Sequence, residues 1–303
     1  MVSTSPPIED QLQRVIDWLR YASSQLAKHP VFFGHGTDNS MDEAAALVLG
    51  ALDLPPDVAA PYLDGVLVAE ERDHLATLLQ RRIQDRVPVP YLLGWCWYAG
   101  YQFAVNEEVL IPRSPLFELI DQRCHPWLAS EPSRILDLCT GSGCLAILLA
   151  LAFPEAQVDA SDLSAAALEV ARVNRDKFGL QEQLRLLQGD GLQACAEQRY
   201  DLILTNPPYV ATAEHQSLPA EYTHEPAMAL ESGADGLDFV RQLLRQAPRH
   251  LNPQGVLICE VGSATSALIQ EFPQLPFNWL EFDVGGDGVF VLTREELLLL
   301  DEE

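Results

Sequence analysis

The amino-terminal part of the chain carries apolar side chains at helical spacing. Three stretches show this periodicity: residues 8–28, DEAAALVLGAL and residues 68–84. Asp38 or Ser40 can cap the second predicted helix, and Pro55-Pro56 ends it. We therefore expect residues 1–90 to form a small helical domain.

Residues 91–112 (YLLGWCWYAGYQFAVNEEVLIP) have a different pattern. They are rich in aromatic and β-branched side chains, with Gly94 and Gly100 near the expected turns. This composition predicts a β-hairpin. We expect residues 91–114 to link the helical domain to the rest of the chain.

From about residue 134 onward, apolar strands alternate with helices. Strands are predicted over 134–138, 157–161, 184–188, 202–205, 256–260, 279–283 and 289–293, and helices over 144–152, 165–178, 239–247 and 263–272. This alternation is typical of an α/β fold with a mainly parallel, doubly wound sheet. The glycine-rich VGGDG between the last two strands predicts a hairpin, and so an antiparallel last strand. The predicted domain covers residues 115–303.

Charge narrows the choice of partners. The chain of 303 residues has 44 acidic against 19 basic side chains, a formal charge of −25, in an otherwise ordinary composition with 48% hydrophobic residues. A surface this negative repels phosphate backbones and attracts basic partners, although the same charge also favours solubility. We therefore expect a basic protein partner and no direct binding of nucleic acid.

Several other classes of protein are disfavoured. No stretch approaches 18 uncharged apolar residues, and the amino terminus lacks a basic run followed by an apolar one, so we expect neither a membrane span nor a secretory signal. The six cysteines form no C-x-x-C pair, which argues against a zinc site or a disulfide framework. We expect a cytoplasmic protein with buried thiols and no bound metal.

A glycine-rich turn follows the first predicted strand of the sheet, with the sequence Asp137-Leu138-Cys139-Thr140-Gly141-Ser142-Gly143. Such a turn lets a ligand touch the backbone, and the helix N-terminus behind it attracts an anionic group. Asp137 lies where it can bind an ammonium group. A ligand with both charges, such as the methionine part of S-adenosylmethionine, fits Asp137 together with Thr140, Gly141 and Gly143. The pattern Gly-x-Gly-x-x-Ala also fits a dinucleotide.

Two more acids follow the next two strands. Asp162, with Leu163 beside it, can accept hydrogen bonds from both hydroxyls of a ribose. Asp190, between two glycines, can accept from the exocyclic amine of adenine. Parallel strands bring their carboxyl ends to one edge, so we expect all three acids along one crevice. NAD also carries a ribose, and these aspartates can instead cap a helix or stabilise a turn.

The most specific signal is Asn206-Pro207-Pro208-Tyr209, at the end of the fourth strand. A methyl on a sulfonium is already activated, so an enzyme mainly has to place a nucleophile in line with it. The Asn206 side-chain oxygen and the Pro207 carbonyl can accept both N–H groups of a planar nitrogen and favour the charge that develops on it. Pro207 and Pro208 stiffen the loop, and Tyr209 offers a flat face to a planar substrate. The tetrapeptide predicts a nitrogen methyltransferase dependent on S-adenosylmethionine.

Asn-Pro-Pro-Tyr after DLCTGSG resembles the N5-glutamine methyltransferases, the HemK/PrmC-type enzymes. The resemblance extends over most of the chain and includes Gly36-Thr37-Asp38-Asn39, Asp42-Glu43-Ala44, Val109–Pro115, Leu218–Tyr222, His224-Glu225-Pro226 and Gly236-Leu237-Asp238. Within the family, Arg113-Ser114-Pro115 is most similar to the PrmB branch, which acts on the third large-subunit ribosomal protein.

The resemblance implies a seven-stranded Rossmann-like methyltransferase sheet and a helical domain that helps recognise a protein substrate. It implies transfer of a methyl group from S-adenosylmethionine to the side-chain N5 of a glutamine in that ribosomal protein. The cofactor contacts would lie at the glycine turn, Asp162, Leu163, the Asp190 region and Asn206. Asn206, Pro207 and Tyr209 would hold the glutamine.

Three alternatives stay open. A release-factor glutamine methyltransferase would carry out the same reaction on another protein. An adenine-N6 methyltransferase shares the logic of Asn-Pro-Pro-Tyr but must hold phosphates, which the acidic charge disfavours. A non-catalytic assembly protein could keep the fold, but the full set of Asp137, Asp162, Asp190 and Asn206 argues against it.

Overall fold

The computed structural model describes residues 8–195 and 198–301. The first seven residues of the predicted helical domain, and residues 196–197, 302 and 303 of the predicted sheet domain, lie outside the described residues. The chain divides into two compact units. One contains the chain up to Cys96 together with Pro219–His224, and the other contains Trp97–Leu218 and the chain from Glu225 onward. No helix among the described residues is long and apolar enough to cross a bilayer.

The first unit is helical. Its helices are α1 (Ile8–Gln11), α2 (Val15–Leu26), α3 (Ser40–Ala51), α4 (Ala60–Leu63), α5 (Ala69–Gln84) and α6 (Val89–Leu93), and Ala220–His224 adds a 3₁₀ turn. Trp18 of α2, Leu47 of α3 and Leu75 of α5 are almost completely buried in one apolar cluster. The helix predicted over residues 68–84 is confirmed as α5.

Two details of the helical prediction are wrong. Residues 8–28 do not form one helix, because Arg14 is extended and pairs in a β-bridge with Val66. This long-range pairing interrupts the helical periodicity between α1 and α2. Neither Asp38 nor Ser40 caps α3. The cap is Asn39, whose side-chain oxygen accepts from two backbone N–H groups of the first turn, both at 2.9 Å.

A buried ion cluster fastens the 3₁₀ turn within the helical unit. The Arg82 side chain is 1% exposed, and its Nε lies 2.6 Å from Glu43 Oε1. The same guanidinium donates to Glu221 Oε1 at 3.1 Å and to the Phe32 carbonyl at 2.7 Å. Arg86 reaches Glu221 from the surface side. Since Glu43 and Glu221 are also buried, each charge depends on its partners for solvation.

A short hairpin follows α6. Strands β1 (Trp95–Tyr98) and β2 (Tyr101–Ala104) form a two-stranded sheet. The hairpin predicted over residues 91–112 is therefore confined to its middle part. Pro90 in the first turn of α6 and a left-handed Gly94 at its end make a brief helix where the pattern indicated a strand.

The second unit contains the large sheet. The remaining elements are α7 (Leu116–Asp121), β3 (Arg134–Leu138), α8 (Cys144–Ala152), β4 (Gln157–Asp162), α9 (Ala165–Lys177), β5 (Leu184–Gln188), β6 (Tyr200–Thr205), α10 (Thr212–His215), α11 (Ala227–Leu230), α12 (Asp238–His250), β7 (Leu251–Glu260), α13 (Thr265–Glu271), β8 (Asn278–Leu280), β9 (Val289–Thr293) and α14 (Arg294–Leu297). In addition, 3₁₀ turns cover Gly191–Cys195, Gly262–Ala264 and Leu298–Asp301.

The α/β fold is confirmed. In the described residues, seven strands form one sheet in the order β5-β4-β3-β6-β7-β9-β8. β3 to β7 are parallel, and β9 runs antiparallel to both β7 and β8, as the glycine-rich connection predicted. The chain moves outward from β3 through β4 to β5 and then returns to the other side of β3 for β6. A crevice forms at such a reversal of strand order, outside the carboxyl ends of the strands.

We predict that Arg82→Ala lowers the free energy of unfolding by about 3–5 kcal/mol, because it leaves Glu43 and Glu221 buried with fewer partners. The matched control is Arg86→Ala, since the Arg86 side chain is 22% exposed and bonds to the same carboxylate. Arg86→Ala should lower the free energy of unfolding by about 1 kcal/mol or less. Urea denaturation of both variants measures the difference, and equal losses would contradict the prediction.

Candidate active site

The crevice at the strand reversal collects most of the predicted site residues. It is lined, among others, by Thr140, Gly141, Asp162, Leu163, Asp190, Asn206 and Pro208. Asp137, Gly143, Pro207 and Tyr209 are not among the lining residues of this cleft. Its walls come from the ends of β3, β4, β5 and β6, which is where the parallel order of these strands leads their following residues.

The glycine-rich turn needs its two glycines for different reasons. Both have positive φ, 55° at Gly141 and 79° at Gly143. A Cβ on Gly143 would lie 3.1 Å from Cβ of Ala171 in α9, so this position must be small for α8 and α9 to pack. A Cβ on Gly141 would meet no atom within 4 Å, because this residue borders the open cleft. Gly141 thus leaves room for a ligand.

Asp137 is completely buried beneath the turn and does more than sequence reasoning assigned to it. Its Oδ2 accepts from Thr140 Oγ1 at 2.5 Å and from the Ala146 N–H at 3.1 Å, which ties the first turn of α8 to the end of β3. Its Oδ1 has no hydrogen-bond partner among the described residues. Burial, together with the charge of Asp162, raises the pKa of Asp137 to about 7.

Asp162 connects the ends of two strands. Its Oδ2 accepts from the Gly141 N–H and its Oδ1 from the Ser164 N–H, each at 2.9 Å. The Gly141 N–H is therefore already occupied, although the sequence suggested that the turn presents free donors. Ser164 caps α9 by accepting from the Ala167 N–H, as expected for that position. Burial raises the pKa of Asp162.

Asp190 is exposed at the rim of the cleft, between two glycines that shape its turn. A Cβ on Gly189 would lie 2.8 Å from Cβ of Ala194, and Gly191 has a φ of 52°. Phe239 lines the same part of the cleft. Phe239 could be predicted only as the start of a helix, because nothing in its local pattern distinguishes a cleft-facing aromatic side chain from one in the core.

The Asn-Pro-Pro-Tyr loop is held at both ends. Before it, Thr205 Oγ1 donates to the Leu138 carbonyl at 2.6 Å, which fixes the end of β6 against β3. After it, the Val210 N–H donates to the Leu230 carbonyl at 2.8 Å, and the Ser232 N–H donates to the Val210 carbonyl at 2.9 Å. The loop between these anchors is short, and two of its four residues are prolines.

Two acceptors of this loop are unused. Neither the Asn206 side-chain oxygen nor the Pro207 carbonyl has a hydrogen-bond partner among the described residues. Asn206 borders the cleft, as do the glycine turn and the first residues of α8. An amide nitrogen with two hydrogens matches such a pair of acceptors in number and in kind.

Tyr209 makes two contacts that the sequence did not suggest. Its hydroxyl donates to Glu260 Oε1 at 2.9 Å. Its ring packs against the backbone of Gly262, where a Cβ would lie 2.6 Å from the ring Cε2. Tyr209 is not among the lining residues of the cleft, and the packing of its ring against a substrate stays a prediction.

Sequence reasoning missed a polar network beside this loop. Glu260 is 6% exposed, and its Oε2 accepts from Ser114 Oγ at 2.5 Å. Next to it, Arg113 forms a two-pronged pair with Glu225 at 2.6 and 2.8 Å. A signal existed for Glu260, because it is an acid at the end of the buried apolar run VLIC. Arg113, Ser114 and Glu225 entered only as parts of longer motifs.

The chain is similar to known proteins over nearly all of its length. Residues 125–235 match the family model described as methyltransferase small domain. The chain is 48% identical over 291 residues to the ribosomal protein uL3 glutamine methyltransferase of Neisseria meningitidis serogroup A, covering 95% of each chain. It is 47% identical over 289 residues to the protein of the same name from Bordetella pertussis, covering 95% of this chain and 97% of the relative.

A solved structure shares the fold. The catalytic domain of hMettl16, in complex with the MAT2A 3′UTR hairpin 6, aligns with a TM-score of 0.51 and 16% identity. The alignment covers 78% of this chain and 86% of that chain. At this identity the similarity shows a common methyltransferase fold and nothing about the substrate.

We predict that Gly236→Ala destabilises the protein through the Asn-Pro-Pro-Tyr loop. Gly236 has a φ of 81°, and a Cβ there would overlap the Tyr209 carbonyl oxygen and lie 3.0 Å from its carbon. Gly179→Ala is the control, because Gly179 also has positive φ but a Cβ there meets no atom within 4 Å. Both variants should lose about 1–2 kcal/mol for the left-handed backbone, and Gly236→Ala a further 1–3 kcal/mol or so from overpacking. Equal midpoints in urea denaturation would refute this.

Proposed function

Since the chain belongs to the family of ribosomal protein uL3 glutamine methyltransferases, we propose that it methylates the side-chain amide nitrogen (N5) of a glutamine in uL3. The methyltransferase family and fold imply S-adenosylmethionine as the methyl donor. The observation that carries the proposal is the pair of unused acceptors, Asn206 Oδ1 and the Pro207 carbonyl, at the end of β6. The match to the relatives covers 95% of this chain, and their name indicates the substrate.

The residues around the cleft fit S-adenosylmethionine. The buried Asp137 Oδ1 without a partner supports assigning it to the ammonium group, directly or through a water molecule. The open space at Gly141 and the N-terminus of α8 suit the carboxylate. Asp162 borders the cleft where a ribose would be bound, with Leu163 beside it. Asp190 at the rim would accept from the adenine amine, and Thr140 and Asn206 complete the cofactor contacts.

The loop residues explain how an unreactive amide can be methylated. Bound S-adenosylmethionine supplies a methyl group on a positively charged sulfonium. An amide nitrogen is a poor nucleophile because its lone pair is delocalised into the carbonyl. Asn206 Oδ1 and the Pro207 carbonyl each accept one N–H of the glutamine amide, which holds both hydrogens in place and favours a lone pair directed at the cofactor side of the cleft. Orientation of this kind contributes about 7–11 kcal/mol in favourable cases.

The same acceptors stabilise the transition state. Positive charge grows on the nitrogen as the methyl group is transferred, so each N–H becomes a stronger donor to its fixed carbonyl. Such pre-oriented dipoles are worth about 2.7–4 kcal/mol each in other enzymes. No strong base is needed at the start, because the methylated nitrogen becomes acidic and loses its proton afterwards.

The charge of the chain suits a basic protein substrate. Ribosomal proteins bind RNA and are therefore rich in lysine and arginine, so a chain with a formal charge of −25 attracts them over distance. The same charge disfavours a nucleic-acid substrate, whose phosphates would be repelled. A release factor is the second candidate substrate, because the chemistry at Asn206 and Pro207 would be identical.

We predict that the purified protein methylates free uL3 on a glutamine when supplied with S-adenosylmethionine carrying a labelled methyl group. A release factor and an adenine-containing RNA, tested in parallel, should receive little or no label. Mass spectrometry of the labelled product identifies the residue. Label on the release factor alone, or on the RNA, would overturn the proposed substrate.

The matched variant for that experiment is Asn206→Ala. Losing one acceptor should lower the rate by about 10²–10³-fold. Binding of S-adenosylmethionine should weaken only slightly, because Asn206 is one cofactor contact among several and the glycine turn, Asp137 and Asp162 are unchanged. A variant that keeps the parent rate would refute the role of Asn206 as an acceptor for the substrate amide. A large loss of cofactor binding would show that Asn206 acts mainly by holding the cofactor.

Cofactor affinity should depend on the protonation of Asp137. The raised pKa of about 7 means that the free protein carries a proton on this group at lower pH, and the unpaired Oδ1 can hold it. An ammonium group binds the ionised form, so binding must displace the proton. Below about pH 7 the dissociation constant should therefore rise by up to about tenfold per pH unit as pH falls.

Calorimetric titration between about pH 5.5 and pH 7 measures this dependence, since an α-amino group with a pKa near 7.7–8.0 stays mostly protonated there. Asp137→Asn should bind more weakly and lose the pH dependence. Asp190→Asn is the control, which should weaken binding while keeping the slope. The same slope in Asp137→Asn as in the parent would show that another group titrates.

A further inference from the structure

Glu260 is a buried carboxylate that the proposed reaction does not use. It ends β7, directly after a run of completely buried apolar residues, and is itself 6% exposed. Its two oxygens accept hydrogen bonds from two hydroxyl groups, Tyr209 at 2.9 Å and Ser114 at 2.5 Å. These donors come from segments 95 positions apart in the chain, so Glu260 joins the Asn-Pro-Pro-Tyr loop to the segment before α7.

Tyr209 is held from three sides. Its hydroxyl is bound by Glu260, its ring lies against the Gly262 backbone, and its carbonyl lies against Gly236. A residue held in this way cannot change its backbone direction without breaking a hydrogen bond or moving one of these two glycines. Tyr209 is therefore a fixed point immediately after the two prolines.

The prolines alone do not fix the carbonyl that the mechanism needs. The ring of Pro207 sets its φ near −65°, and the following Pro208 confines ψ of Pro207 to about +120 to +160°, but within this range ψ still decides where the carbonyl oxygen points. On one side, β6 and the Thr205–Leu138 hydrogen bond fix the chain. On the other side, the position of Tyr209 limits the rotation that remains about ψ of Pro207. A fixed Tyr209 thus limits how far the Pro207 carbonyl can turn.

We propose that Glu260 is a positioning residue for the methyl transfer, acting through Tyr209 to aim the Pro207 carbonyl at the substrate amide. The proposal rests on the proposed function, because it takes this carbonyl as an acceptor for the glutamine N–H. The second hydrogen bond, from Ser114, keeps the carboxylate from rotating away from the loop. Tyr98 in turn donates to the Ser114 carbonyl at 2.7 Å, and Ser114 Oγ accepts from the Leu116 N–H at 3.2 Å, so this support is itself fixed.

Two substitutions of Glu260 distinguish a role in positioning Tyr209 from a role of the negative charge. A glutamine at position 260 keeps both contacts, because its oxygen accepts from one hydroxyl and its NH₂ group donates to the other. An alanine removes the acceptor to which both hydroxyls donate and opens a cavity beside Tyr209. Glu260→Gln should therefore rescue what Glu260→Ala loses, although neither variant carries the negative charge.

The test compares steady-state methylation of uL3 by the parent protein and both variants. Glu260→Ala should lower kcat about 10²-fold, as expected for a displacement of the order of 1 Å at a reacting group, with an unchanged dissociation constant for S-adenosylmethionine. Glu260→Gln should stay within about tenfold of the parent kcat. An unchanged kcat in Glu260→Ala overturns the proposal, and so does an equal loss in both variants.

A double-mutant cycle tests the route through Tyr209. Tyr209→Phe removes the hydroxyl that Glu260 holds, so adding Glu260→Ala to it should lower kcat by no more than about threefold. A full additional loss in the double variant would show that Glu260 acts by another route, and would overturn this part of the proposal.

Asp159 supplies a matched control in the same sheet. It is 3% exposed in β4, and its carboxylate accepts from the Tyr200 hydroxyl at 2.8 Å, away from the residues that line the cleft. Asp159→Ala should reduce stability while kcat of the folded protein stays close to that of the parent. If kcat fell as much in Asp159→Ala as in Glu260→Ala, general destabilisation would explain both losses, and the proposal would be overturned.

Hydrogen exchange separates this proposal from the proposed function. The Val210 and Ser232 N–H groups, which bond across the chain next to Tyr209, should exchange faster in Glu260→Ala and as in the parent in Glu260→Gln. This readout needs no substrate. If the parent failed to methylate uL3, the proposed function would fail, and these exchange rates would still support or overturn the positioning of Tyr209 by Glu260.

Discussion

The hydrogen bond from the Ala146 N–H to Asp137 Oδ2 is the contact on which the cleft depends. It holds the first turn of α8 against the end of β3. The glycine turn that connects them therefore has to pass over the Asp137 carboxylate. Asp162 then fastens the outer part of the turn through the Gly141 N–H. Asp137, which is buried, and Asp162, which is partly buried, thus fix the backbone that forms this wall of the cleft. Burial raises the pKa of both groups, against the hydrogen bonds that they accept.

The sequence predicted the fold well where the local pattern was complete. β3, α8, β5 and β9 have the bounds that the apolar runs and glycines indicated. The helix over residues 8–28 was wrong because Arg14 pairs with Val66, more than fifty positions away, and local periodicity cannot reveal such a partner. Asn39 was missed as a cap because three polar residues stand in a row there and each is a good candidate by type.

The candidate site was predictable where it depends on local sequence patterns. It was missed where it depends on partners far away in the chain. Strand ends in a parallel sheet share an edge, so Thr140, Asp162, Asp190 and Asn206 could be placed along one cleft in advance. Their contacts with a cofactor stay predictions. The contact of Tyr209 with a substrate also stays a prediction, whereas the hydrogen bond from its hydroxyl to Glu260, 51 positions further along the chain, was not predicted. Partners at that separation become visible only once the sheet has formed.

The helical unit has a consequence for how such proteins can be recombined. Six of its residues, Pro219–His224, come from the middle of the second half of the chain, and Glu221 among them supplies a counter-charge to the buried Arg82. The first 96 residues are therefore not a transferable module. A graft of that stretch onto another catalytic domain would bring a guanidinium without one of its two carboxylates. Exchange between relatives, whether by evolution or in the laboratory, has to move two separate pieces of the gene together.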